Sequence, residues 1–308
     1  MSHIFDALQR AEAERSGGNV SAVPDSVTEL VERASTKEID QADFAGILKR
    51  EATEVVETDL LSATKVVIPT PSSNARLVCL TDQGSLAAEK FRVLGLRLRN
   101  LREKRHLKRV VVTSTIPEEG KTLMAANLAL NLSRSKILKT VLVDGDLRRP
   151  SLSGRFGLSR SLPGLTECLR GEKQLSDVLY KLENTNLWFL PAGLPPENPL
   201  DLMQSARTGE LLSCLDDLFD WVIIDSPPVT PLADASFWMK LSNGVLMIAR
   251  EGVTEKKPLK RALEIIDRST LLGIIINSCS SGDHKNYYQH YGTVSESNSE
   301  PPSTPEIG

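Results

Sequence analysis

Three aspartates and one lysine have the types and spacing to do chemistry together. Asp144 and Asp146 follow the apolar run 140–143, and Asp225 follows the run 221–224. Lys121 stands in Gly120-Lys-Thr122, between the β-branched run Val110–Val112 and the helix-forming stretch 123–132. A tight loop whose backbone N–H groups and following helix N-terminus face one point makes a cradle for phosphate. Lys121 adds a point charge there, and the Thr122 hydroxyl a ligand for Mg²⁺. Mg²⁺ prefers octahedral oxygen and keeps several waters, so one hydroxyl plus one or two carboxylates suits it. A spare carboxylate can orient or deprotonate an attacking hydroxyl. Taken singly, each Asp reads more readily as a helix cap or turn former. Three of them, in register with Gly-Lys-Thr, point to a nucleoside triphosphate. The match to G-x-x-x-x-G-K-[ST] is imperfect, because Thr115 stands at the first glycine's position.

The elements that must position these groups alternate along the chain. Helix is expected over Leu86–Leu101, with Leu86, Phe91, Leu94, Leu98 and Leu101 on one side. Buried-type strands are expected at 110–112, 140–143, 187–190, 221–224, 244–249 and 272–276, with helices near 209–218 and 255–269 between them. That order predicts an α/β fold with a doubly wound, mostly parallel sheet and ligands at the carboxyl ends of its strands. Around this domain, expected at 76–280, the sequence predicts a short amphipathic helix at 1–15, a flexible polar arm at 16–75 and a disordered tyrosine-containing tail at 281–308.

Composition bounds the class. Of 308 residues, 37 are basic and 40 acidic, so no global field argues for nucleic acid. No apolar run reaches the ~18 residues that span a bilayer, and the N-terminus lacks the pattern of a signal peptide. Cys79, Cys168, Cys214 and Cys279 are far apart, which suggests neither a disulfide framework nor a zinc site. These observations point to a soluble cytoplasmic protein. Between Glu89 and Arg109 nine Lys and Arg face two Glu. That run reads either as a solvated face or as a docking surface for an acidic partner or a neighbouring subunit.

Residues 113–122, Val141-Leu-Val-Asp-Gly-Asp-Leu-Arg-Arg-Pro150 and 221–229 resemble the Walker A, A′ and B motifs of the bacterial tyrosine kinases, the BY-kinases that regulate capsule and exopolysaccharide export. Pro163-Gly-Leu165, Ala192-Gly193, 195–199 and Asp234-Ala235 support the match, which runs in order over roughly residues 86–292. The resemblance implies a P-loop NTPase of the deviant Walker A type and an ATP- and Mg²⁺-dependent tyrosine autokinase. Its nucleotide-binding positions would be Thr115, Glu119, Gly120, Lys121, Thr122 and Asn277, the last beside the adenine. Lys121, Asp144 and Asp146 would be catalytic; Thr122, Asp146 and Asp225 would hold the metal. The phosphoacceptors would be Tyr287, Tyr288 and Tyr291, three of the chain's four tyrosines. The implied partners are a separate membrane-anchored polysaccharide chain-length regulator that activates the kinase, a tyrosine phosphatase and further copies of the chain. The implied location is peripheral, at the inner face of the membrane. Two positions depart from the family pattern: Glu118 replaces a glycine, and Gly95 stands at the second Arg of the oligomer-forming Glu-x-x-Arg-x-x-Arg helix, after Glu89 and Arg92. Two other readings compete: a partner-switching ATPase of the MinD/ParA type, against which Ile116 stands in place of that group's signature lysine, and a non-catalytic nucleotide-binding module of an export complex.

Overall fold

The computed structural model describes residues 60–230 and 233–278. The expected N-terminal helix, most of the arm, Cys279 and the tail with its tyrosines lie outside the described residues. Among the described residues, eight strands form one sheet: β1 Lys65–Val67, β2 Arg109–Ser114, β3 Thr140–Asp144, β4 Tyr180–Leu182, β5 Leu187–Leu190, β6 Trp221–Asp225, β7 Gly244–Arg250 and β8 Leu271–Asn277. Their order is β1-β4-β5-β3-β6-β2-β7-β8. From β5 to β8 all neighbours run parallel; β4 is antiparallel to β5, and β1 joins its outer side. The inner strands are continuous apolar runs because helices cover both faces. Val110, Val111 and Val112 of β2 and Val222, Ile223 and Ile224 of β6 are fully buried.

Lys65–Val67 falls in the stretch read from the sequence as arm and is instead an edge strand, followed by a 3₁₀ turn at Ser73–Ala75. Strands β1 and β4 have three residues each, too short to show a period, and pairing alone makes them strands.

The helices are α1 Val78–Thr81, α2 Leu86–Lys104, α3 Lys121–Leu132, α4 Leu152–Arg155, α5 Leu165–Arg170, α6 Leu175–Val178, α7 Pro199–Met203, α8 Ala206–Leu218, α9 Ala233–Lys240 and α10 Lys256–Ile265. Helix α3 is apolar nearly all round and lies at the centre of the core with Phe91, Leu98, Leu142 and Phe189. Its buried Asn127 is fully used: Oδ1 accepts from the Cys79 N–H, and Nδ2 donates to the carbonyls of Arg76 and Leu123.

Helix α2 starts on Ser85, whose hydroxyl accepts the Ala88 N–H at 3.2 Å. Its buried stripe is Ala88, Phe91, Gly95 and Leu98, whereas Leu86, expected on the core face, is 41% exposed. The small residues let α2 press close to α3. A Cβ on Gly95 would sit 2.3 Å from Oδ1 of the buried Asn131. Gly95→Ala is therefore expected to lower stability by about 1 kcal/mol net, overpacking outrunning the gain in helix propensity. Urea unfolding checks this; an unchanged midpoint means the Asn131 amide swings aside.

Part of the basic run is tied within the chain. Arg102 pairs with Asp220 at 3.1 Å and lies over the Trp221 ring, Arg109 pairs with Asp216 at 3.4 Å, and Arg105 donates to the Ser269 carbonyl.

Candidate functional site

Strand register places the acids. Asp225 of β6 is paired with Val112 of β2 on one side and with Asp144 of β3 on the other. Parallel neighbours lie ~4.8 Å apart, so two carboxylates meet at the carboxyl rim, beside the loop that follows β2. That loop, 115–120, turns into α3 through Gly120, whose φ of 97° favours glycine. A Cβ there would also fall 2.3 Å from Nδ2 of Asn277, which donates to the Glu119 carbonyl at 2.9 Å. The end of β8 thus holds the underside of the loop. Glu119 is fully buried: one carboxylate oxygen accepts the Ile116 N–H at 3.0 Å and the other the hydroxyl of Thr254, in the turn after β7. Thr115 is also buried, its hydroxyl against the Met247 sulfur and its carbonyl accepting the Thr230 hydroxyl.

Lys121 opens α3 and reaches the acids. Its ammonium lies 3.0 Å from Asp146 Oδ2, 3.6 Å from Asp225 Oδ1 and 3.2 Å from the Thr122 hydroxyl. Burial alone would pull this ammonium down, but Asp225, Asp146 and Asp144 outweigh it and hold it above the usual lysine range. Asp144 is fully buried; burial and the neighbouring Asp225 charge push it up to about 8, against the pull of the Leu152 N–H and Lys121. Burial also raises Asp225, with the Lys121 charge pulling the other way. Two carboxylates on adjacent strands thus retain a proton where isolated ones would not. Asp146 accepts the Arg149 N–H at 3.1 Å, which tightens the turn after β3.

Above Lys121 opens a cavity of about 630 Å³, whose lining includes Glu118, Gly120, Lys121, Thr122, Asp146, Arg148, Arg149 and Arg155. Four of these are cations and two are acids, so the cavity favours a polyanion. Arg148 is aimed by a bidentate pair, Nε to Asp234 Oδ2 at 2.6 Å and Nη2 to Oδ1 at 3.1 Å. Asp234 itself is buried in the first turn of α9.

Of the residues expected from the sequence, Gly120, Lys121, Thr122 and Asp146 line the cavity. Asp144 and Asp225 stand next to Lys121, while Glu119 and Asn277 brace the loop from inside and below. The Thr115 side chain is turned into the core. Tyr287, Tyr288 and Tyr291 lie outside the described residues. Arg148, Arg149, Arg155 and the Asp234 that holds Arg148 are not among the site residues expected from the sequence. The first two were visible in Leu-Arg-Arg-Pro150, but nothing local marks Arg155 as facing the same opening. Glu118 is exposed at the mouth with φ 66°, in the left-handed region that favours glycine.

No family model matches the chain. It is 32% identical over 219 residues to the tyrosine-protein kinase YwqD of Bacillus subtilis (strain 168), covering 70% of this chain and 91% of that one. To the tyrosine-protein kinase CpsD of Streptococcus agalactiae it is 31% identical over 185 residues, 58% of this chain and 80% of the relative. Among solved structures, the chimerical protein CapA2B2 superposes with a TM-score of 0.64 at 28% identity, over 74% of this chain and all of that one. The kinase domain of the Escherichia coli tyrosine kinase ETK superposes with a TM-score of 0.61 at 25% identity, over 67% and 82%. With a mostly parallel sheet, Gly-Lys-Thr at the head of a buried helix and acids on the two adjoining strands, the chain belongs to the bacterial tyrosine-kinase family.

Proposed function

We propose that this enzyme transfers the γ-phosphoryl group of ATP to tyrosines of its own C-terminal segment, Tyr287, Tyr288 and Tyr291, and thereby regulates exopolysaccharide or capsule synthesis and export. The observation that carries the reading is Lys121, held between Asp146 and Asp225 at the head of α3, on the floor of a cationic cavity.

Mg²⁺ fits this set. Both Asp225 oxygens and one Asp144 oxygen are buried without a hydrogen-bond partner, and the Thr122 hydroxyl stands beside Lys121. Among the described residues no three His, Cys, Asp or Glu side chains converge as an all-protein metal cage. That suits an ion that takes its remaining ligands from water and phosphate. Thr122, Asp146 and Asp225 would hold it, and when bound it neutralises charge on the phosphate oxygens.

The chain's own residues do the rest. The loop N–H groups and Lys121 grip the phosphates, and Arg148, fixed by Asp234, faces the same space. The phenol oxygen of an acceptor tyrosine bonds to the γ-phosphorus as the bond to the bridging oxygen breaks and ADP leaves. The phenol proton passes to the Asp146 carboxylate, which lines the cavity, while Asp144, itself protonated up to about pH 8, adds no second negative charge behind it. Such transfer rests on positioning and electrostatics more than on covalent participation.

No helix among the described residues is long and apolar enough to cross a membrane. In this reading a membrane-anchored chain-length regulator brings the enzyme to the inner membrane face and activates it, and a phosphatase resets it. Intact mass and phosphosite mapping of the full chain after Mg-ATP, with and without the regulator's cytoplasmic peptide, test it. Phosphate on Tyr287, Tyr288 or Tyr291 is expected. ATP hydrolysis without phosphotyrosine points instead to a switch ATPase, and no turnover at all to a nucleotide-binding assembly module.

A further inference from the structure

Strand order lays the site out along one rim. Across the carboxyl ends run β8, β7, β2, β6, β3 and β5. Asn277 ends β8, Gly120–Thr122 follow β2, Asp225 ends β6, Asp144 ends β3, and Ala192–Pro195 follow β5. At ~4.8 Å per strand, the end of β5 lies roughly 10 Å beyond Asp225, on the side away from Asn277. A second cavity opens there, of about 240 Å³, lined by Pro150, Ser153, Arg160, Ala192, Gly193 and Pro195. It takes Pro150 and Ser153 from the turn whose Arg149, Ser151 and Arg155 line the phosphate cavity, so the two openings share one wall.

The far wall is held in place. Glu167 of α5 accepts the N–H groups of Gly164 at 2.7 Å and Leu194 at 3.0 Å, and the Ala192 carbonyl accepts the Thr166 N–H at 2.9 Å. A concavity formed before its ligand arrives costs little to fill. Its lining combines two prolines and an alanine with Ser153, the Gly193 backbone and one guanidinium, Arg160, which is exposed and forms no ion pair among the described residues. Leu194, 55% exposed, adjoins the rim. Flat apolar walls with a guanidinium that can stack on a ring face are made for an aromatic side chain.

Resting on the kinase reading above, we propose that this cavity is an acceptor subsite. It takes one tyrosine ring of the segment being phosphorylated while a second tyrosine of that segment presents its hydroxyl at the phosphate cavity. In a polyproline-II conformation three residues, as from Tyr288 to Tyr291, would return to the same face after about 9 Å, close to the roughly 10 Å from the end of β6 to the end of β5.

The test separates donor and acceptor copies of the full chain. The enzyme copy carries Tyr287→Ala, Tyr288→Ala and Tyr291→Ala, so that its own tail offers no ring to the cavity; the acceptor copy carries Lys121→Ala and keeps its tyrosines. Arg160→Glu in the enzyme copy is expected to raise KM for the acceptor copy at least tenfold and to leave KM for ATP within twofold. The same change in the acceptor copy should have no effect. Arg160 is exposed, so the variant folds, and its melting temperature verifies this. An acceptor KM within twofold of the parent, or an equal rise in KM for ATP, overturns the subsite while leaving the kinase reading intact. Failure of the parent pair to make phosphotyrosine, even with the regulator's peptide, overturns the kinase reading and the subsite with it.

Discussion

Replacing Lys121 by alanine is expected to lower the rate of tyrosine phosphorylation by about 10³-fold or more, the scale of a preorganised charge facing transferred phosphate. It should also leave a distinctive mark on stability. Lys121 is the cation beside Asp146 and Asp225, and both contacts are buried. Removing one member of a buried pair typically costs about 3–5 kcal/mol, because the remaining charge has no partner. In the variant Asp225 loses the cation that holds its pKa down, so its folded pKa rises further above the unfolded value. A raised carboxyl pKa stabilises the fold below the unfolded pKa, and that contribution is lost as pH climbs through the folded one. The melting deficit of Lys121→Ala should therefore be larger at pH 8 than at pH 5. Single-turnover phosphorylation and melts at the two pH values check both parts. Retention of a tenth of the parental rate would show that Lys121 does not carry the transferred charge.

Asp144→Asn is expected to make the protein more stable and less active. Asp144 holds its proton up to about pH 8, whereas its ordinary value is 3.8. Below pH 4 both folded and unfolded chains bind that proton, and nothing is lost. Between about pH 4 and pH 8 the unfolded chain gives it up and the folded one does not, so stability falls by up to ~1.4 kcal/mol per pH unit from this group. An asparagine escapes that loss; its carbonyl can keep the Leu152 N–H, and its amide faces the Asp225 carboxylate. At pH 8 the variant should be more stable by at least about 2 kcal/mol, or about 4 °C in melting temperature. At pH 4 the advantage should vanish. Phosphoryl transfer should fall about 10- to 100-fold, the usual scale for a group that supports a metal and its ligands from behind. Equal melting temperatures at pH 8 would mean that Asp144 is ionised in the folded protein.

How far the sequence could be read depended on what each residue's neighbours decide. Strands β2, β3 and β6 were legible because a buried parallel strand is an unbroken apolar run, and here two such runs end in acids. Gly120 to Thr122 was legible because a phosphate loop needs backbone and spacing more than tertiary context. The face of α2 was not: Leu86 has the right period for the core, yet the stripe that packs contains Ala88 and Gly95, chosen by how closely α3 approaches. Strands β1 and β4 are strands only through pairing, β1 with β4 and β4 with β5. Glu118 and Glu119 are adjacent and chemically alike, yet one lies at the mouth and the other is buried as a brace. Beyond the local Ile116 N–H, the partners of Glu119 are Thr254 and Asn277, more than 130 residues away. The same holds for Arg148, whose aim depends on Asp234, 86 residues later.

In the autokinase reading proposed above, the contact between Asn277 and the loop carrying Glu119 also bears on acceptor supply. The chain leaves the sheet at the rim of its own active site, and ten residues later it carries Tyr287. However it is folded, that stretch spans at most ~33 Å, while the end of β6 lies only three strands, ~14 Å, from β8. If Tyr287 is an acceptor, as proposed above, a tether of that length would present it to the site at an effective concentration on the order of millimolar. A free acceptor would then compete against that tethered supply, so in this reading proximity selects the substrate as well as fit.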